Sequence, residues 1–103
     1  MTGRADWGDP VLQGDVEADV AAGLRRWLLL AIADRLERDA AAEKEKADKA
    51  KALRDGWLQF KEEGDLRGTG QWFKFHGQWQ GHQSAWRRLT REAVRLRMEE
   101  AEL

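Results

Sequence analysis

A chain of 103 residues has room for one domain; its 42% apolar content suffices for a core and excludes wholesale disorder. Without cysteine, disulfides, thiolate catalysis and cysteine-based zinc sites are excluded. The net charge of −1 conceals a gradient, because residues 1–23 sum to −4, 24–65 to zero, 66–98 to +6 and the last five to −3.

Residues 1–14, rich in Gly and Asp, predict an irregular acidic N-terminal arm. Asp9-Pro10 offers one turn of helix with Pro at the first helical position, but Gly14 weakens it and Asp15 is the better cap. Met1 to Asp15 lacks the basic stretch and apolar run of a signal peptide. The longest apolar run, Trp27 to Ala33, falls far short of the roughly 20 residues of a membrane-spanning helix. No membrane span is expected, and the location expected is cytoplasmic or virion-associated.

Residues 15–63 read as one long helix, with a break expected near 55–56 at Asp55-Gly56. Val16, Val20, Leu24, Trp27, Leu28, Ala31, Ile32 and Leu36 recur at helical spacing and mark one apolar face. Asp39 to Ala52 is almost wholly Ala, Lys, Glu and Asp, with pairs such as Glu45 and Lys49 at i,i+4. That stretch is expected to be helical, and either exposed or packed at close range through Ala40, Ala47 and Ala50. Unbroken, the helix would be about 70 Å long, which demands an elongated molecule or a break. Trp27 and Trp57 read as core filler.

Residues 64–70 form a Gly-rich connection, with Gly64-Asp65 and Gly68-Thr69-Gly70 as the turn. Residues 71–102 then read as a Trp- and Arg-rich amphipathic helix. Trp72, Trp79 and Trp86 stand seven apart and the interval continues to Ala93; Phe75, His82, Leu89, Leu96 and Leu103 follow three residues after. This a/d pattern marks a seam that must be covered to be stable. A hairpin of strands over 72–80 competes, since aromatic residues suit strands, but no further segment offers a third strand. The fold expected is all-α, a long helix and a second amphipathic helix joined by a Gly-rich turn as an antiparallel helical hairpin or coiled coil.

Chemistry-bearing residues are sparse. His76 and His82 stand six apart, off the i,i+4 face of a helical metal site, so no metal or cofactor is expected. Buried in the seam, His82 would resist protonation and the seam would loosen in acid. The hydroxyls Thr2, Thr69, Ser84 and Thr90 have no relay to a His and Asp, and Gly68-Thr69-Gly70 is too short for a phosphate loop. No enzyme is expected.

Six tryptophans in so short a chain point to contact surfaces, where Trp is over-represented. The function expected is a non-enzymatic assembly or adaptor protein, docking a protein partner or itself through Trp72, Phe75, Trp79, Trp86 and Leu89, with Arg88, Arg91 and Arg95 beside them. Usage dominated by Ala, Gly, Arg, Asp and Trp suits a GC-rich coding source, and with it a small phage structural or accessory component. One alternative is an inhibitor that binds a host protein complex. Another is single-stranded nucleic-acid binding, with Arg on phosphates and Trp on bases. The acidic pI near 6.1 disfavours it.

Overall fold

The computed structural model describes residues 10–103, with side chains from residue 16 onward. The irregular arm expected over 1–14 therefore lies largely outside the described residues. Three helices follow in order: α1 (Pro10–Gly56), α2 (Leu58–Glu62) and α3 (Leu66–Ala101). α1 begins at Pro10, ahead of the expected cap at Asp15. The ring of Pro presets a helical φ where the missing N–H has no bond to lose.

Antiparallel folding follows from the cross-helix pairs. Arg54 meets His76, Glu43 meets His82, Glu37 meets Arg97 and Arg26 meets Glu100, one number rising as the other falls. The molecule is an all-α hairpin, 92 × 16 × 14 Å, with a radius of gyration of 25.5 Å. A compact domain of this length would have about 13 Å. The elongated form and the break both occur.

The break is small. Trp57 donates its N–H to Arg54 O at 3.0 Å, an i→i−3 bond that tightens the chain before α2 resumes. The reversal after α2 is shorter than the expected 64–70 connection, because Gly68 and Gly70 lie inside α3. Asp65 N donates to Phe60 O and Gly64 N to Lys61 O, with Gly64 at φ +79°. These are the two bonds of a Schellman closure with glycine in the left-handed position. Asp65 then caps α3, its carboxylate accepting from Arg67 N at 3.0 Å. Gly68 is required for close approach: a Cβ there would lie 2.1 Å from Phe60 Cβ.

Among the described residues there is no strand, and residues 71–83 are helix. The expected seam of α3 is the one that packs: its aromatic and aliphatic members are half-buried or buried, except Leu103 at the exposed C-terminus. Its counterpart on α1 is Leu29, Ala33, Leu36, Ala40, Glu43, Ala47, Ala50 and Arg54, also at alternating spacings of four and three. Ala33, Ala40, Ala47 and Ala50 are buried, Ala33 completely. Small residues on α1 thus receive large ones on α3, with Ala47 lining a cleft between Trp79 and Trp86. Of the two expectations for the Ala-rich stretch, close packing is the one realised.

The apolar face read over Val16 to Leu36 is not the one the hairpin buries. Leu36 is half-buried, but Val16, Val20, Leu24, Trp27, Leu28 and Ile32 are exposed, Trp27 at 65%. At about 100° per residue, Leu24, Trp27, Leu28 and Ala31 fall on the side of α1 opposite Leu29, Ala33 and Leu36. Trp27 is therefore not core filler. Trp57 is half-buried and lies tilted on Phe60, with ring centroids 5.3 Å apart.

Candidate interaction surfaces

Three surfaces carry the chemistry of the rod. The first is the Trp seam at the turn end, where an arginine is clasped between aromatic rings. The Arg54 guanidinium lies 4.8 Å from the Trp79 ring and 5.8 Å from the Trp72 ring. It donates to His76 Nδ1 at 3.1 Å and to Asp55 at 3.0 Å. Since guanidinium cannot accept, Nδ1 of His76 is the acceptor and its proton belongs on Nε2. His76 in turn stacks on Trp72, 4.7 Å and 12° apart, and leans on Trp79 at 5.5 Å. Lys61 covers Trp72 at 4.2 Å, and Lys44 lies over Trp86 at 5.5 Å. Arg54 is largely desolvated there, with 14% of its side chain exposed, which strengthens its attraction to the rings.

Trp72, Phe75, Trp79, Trp86 and Leu89, the expected partner-binding residues, are therefore half-buried against α1 of the same chain. One side of each is taken; the other faces solvent. No large side chain is fully buried among the described residues. Sequence spacing revealed the α3 side of this seam. Arg54, which it did not reveal, stands among charged residues on a stretch that reads as solvated.

Further along, His82 donates through Nδ1 to Glu43 Oε2 at 2.6 Å. That hydrogen bond holds the Glu43 carboxyl below its ordinary value. α1 thus places a carboxylate opposite the ring, a polar partner that the seam spacing alone did not show. The two residues lie 39 positions apart, so neither could flag the other in the sequence.

The second surface is cationic. Arg88, Arg91 and Arg95 are all exposed on α3, but they do not form one free stripe. Arg95 is held by Glu92, with Nε to Oε2 at 3.2 Å and a second contact from Nη2, and it also lies near Glu99. Arg87, Arg88 and Arg91 have no ion-pair partner among the described residues. Beyond them, Arg97 forks across to α1, donating through Nε to Glu37 Oε1 at 2.5 Å and through Nη2 to Asp34 at 2.6 Å. The Arg97 donors hold the Glu37 carboxyl low, and the accepting carboxylates of Glu37 and Asp34 raise Arg97 above its ordinary value.

The third surface is the apolar row on α1. The cross-contacts of α3 reach Arg25 and Arg26, which pair with Glu99 and Glu100 at 3.5 and 3.2 Å. α1 runs on past that point, and residues 16–28 are all exposed. Val16, Val20, Leu24, Leu28 and Ile32 form an i,i+4 row along it, with Trp27 alongside. Each is exposed by about half or more, from Ile32 at 49% to Trp27 at 65%, so large apolar side chains face solvent along this part of α1.

Among the described residues no helix is long and apolar enough to cross a membrane, and no group of three His, Asp or Glu side chains is placed to hold a metal ion. Compared with protein-family models, curated proteins and solved structures, the chain finds no match.

Proposed function

We propose that this chain is a non-enzymatic helical assembly or adaptor protein, which works by covering exposed apolar helix surface with a protein partner. The observation that carries this reading is the unpartnered row Val16, Val20, Leu24, Trp27, Leu28 and Ile32 on α1. Water contact along such a row is unfavourable by about 25 cal/mol per Å², so covering it supplies a driving force for association. The outer edges of Trp72, Phe75, Trp79, Trp86 and Leu89 are a second contact, weaker because α1 already occupies their inner side. A small accessory or virion component of a phage with a GC-rich host suits a rod of this kind, and so does a cytoplasmic adaptor.

An inhibitor that binds a host protein complex would use the same row, and the two readings separate on the identity of the partner. Single-stranded nucleic-acid binding draws support from Arg87, Arg88 and Arg91. Against it, Arg95 is neutralised by Glu92, and Lys44 lies over the Trp86 ring and competes for stacking on it.

The test is a photo-crosslinking amino acid placed at Trp27 in cells, compared with one at Lys49, which lies on a solvated part of α1. Discrete protein adducts from position 27 and none from 49 are expected. Equal labelling at both positions, or none at either, refutes docking through this face.

A further inference from the structure

The chain divides its charge between an acidic head and a basic later segment, and the hairpin holds the two apart. Residues 1–23 sum to −4 and residues 66–98 to +6. Among the described residues the outermost ion pairs between α1 and α3 are those of Arg25 with Glu99 and Arg26 with Glu100. Glu17 lies eight residues beyond Arg25 on α1, and Arg91 eight residues back from Glu99 on α3. At about 1.5 Å per residue in each helix, about 24 Å of axis separates Glu17 from Arg91. That is well beyond the Debye length of about 8 Å at physiological ionic strength, so head and face do not neutralise each other within one chain.

Both sets of charges are left over. Among the described residues Glu17 and Asp19 have no ion-pair partner, and neither do Arg87, Arg88 and Arg91; all five are exposed. Glu92, the one carboxylate in residues 66–98, is taken by Arg95. We infer that the Arg87, Arg88 and Arg91 face of α3 receives the acidic head of α1 from a second copy of the chain. This rests on the docking reading above for its apolar part and names the partner of the outer end of that row.

The two faces match in layout as well as in sign. At about 100° per residue, Val16 and Val20 fall between Asp19 on one flank of α1 and Glu17 on the other. On α3 the exposed Ser84 falls between Arg87 on one flank and Arg88 on the other. An apolar strip edged by carboxylates thus meets a small residue edged by guanidiniums. The aliphatic stems of the arginines cover the valines while their heads reach the acids. Trp86, Arg87, Thr90 and Arg91 line an open groove beside that contact. Because two different faces meet, the contact runs head to tail and adds copies in a row unless the rotation closes it. Exposed ion pairs are individually weak, so the association is reversible and sensitive to salt.

The test is a charge swap read by light scattering. In about 50 mM salt the mass should exceed the 11.8 kDa of one chain and rise with concentration. Raising the salt to about 500 mM should weaken association at least about tenfold. Arg87→Glu/Arg88→Glu and Glu17→Lys/Asp19→Lys should each return to single-chain mass with helical circular dichroism retained. An equimolar mixture of the two should associate again, since the acidic head of the first meets the basic face of the second and conversely. Lys49→Glu/Lys51→Glu, with the same change in net charge on a solvated part of α1, should associate like the unaltered chain.

A single-chain mass at low salt up to about 0.5 mM overturns the inference. So does association that survives Arg87→Glu/Arg88→Glu, or that Lys49→Glu/Lys51→Glu breaks equally, or a mixture that stays at single-chain mass. Single-chain mass with oligothymidylate retained through Arg87 and Arg88 overturns it in favour of nucleic acid. Single-chain mass together with adducts between position 27 and a different protein overturns self-pairing and leaves docking standing. Absence of adducts as well removes both.

Discussion

Two chemically identical substitutions in α3 should move stability in opposite directions. Gly68 and Gly77 both lie inside the helix, where Ala is favoured by about 1 kcal/mol. A Cβ at Gly77 meets nothing within 4 Å. Gly77→Ala should therefore realise the whole propensity gain, raising Tm by about 4–8 °C. At Gly68 the same Cβ falls 2.1 Å from Phe60 Cβ and 3.3 Å from Phe60 Cα. Relief requires α2 to move away from α3 by more than 1 Å, which strains the Gly64 closure and the Asp65 cap. Overpacking of this kind costs about 3 kcal/mol at the upper end of its usual range. Set against the 1 kcal/mol gain, Gly68→Ala should destabilise by about 2 kcal/mol, lowering Tm by about 8–16 °C. Thermal melts of the two variants at one protein concentration decide the matter. Shifts of the same sign would show that the α2–α3 contact is not the constraint described.

Arg54→Ala should destabilise by about 1–3 kcal/mol through lost packing of its stem and lost attraction to Trp72 and Trp79. In a double-mutant cycle with Trp79→Ala by urea unfolding, coupling below about 0.3 kcal/mol would refute the clasp. Asp65→Ala should cost about 1 kcal/mol by removing the α3 cap, read from the same unfolding curves. Acid should weaken the hairpin. Glu37, Glu43 and Glu92 are held below the ordinary 4.5 by hydrogen bonds from Arg97, His82 and Arg95 respectively. A lowered carboxyl stabilises the fold fully above its unfolded value and loses that contribution as pH falls through the folded one. The urea midpoint should accordingly drop below pH 4.5, with Glu37→Gln showing a shallower drop; an unchanged midpoint from pH 5 to pH 3 contradicts this.

Local chemistry made much of the hairpin legible. The spacing of Trp72, Trp79 and Trp86 with Phe75, Leu89 and Leu96 names a helix and the face it must bury, because period and side-chain size are written within a few turns. Gly64-Asp65 marks the reversal for the same reason: a left-handed glycine followed by a capping aspartate is a local requirement. Gly56 marks the break.

What covers each face is a different matter. Ala40, Ala47 and Ala50 stand out in sequence as the alanines able to pack, but whether they pack or stay exposed, and that Ala33 joins them, is not written there. They become core only because rings from α3 need small residues to approach. The apolar row of α1 announces that it wants burial and is silent about direction; the hairpin turned it outward by choosing the alanine face instead. Glu43 opposite His82, and Arg54 between two tryptophans, exist only once α3 is laid along α1. Periodicity is a property of one helix, and so it can be read from one stretch of chain. Pairing is a property of two, and it was decided by which faces could come closest.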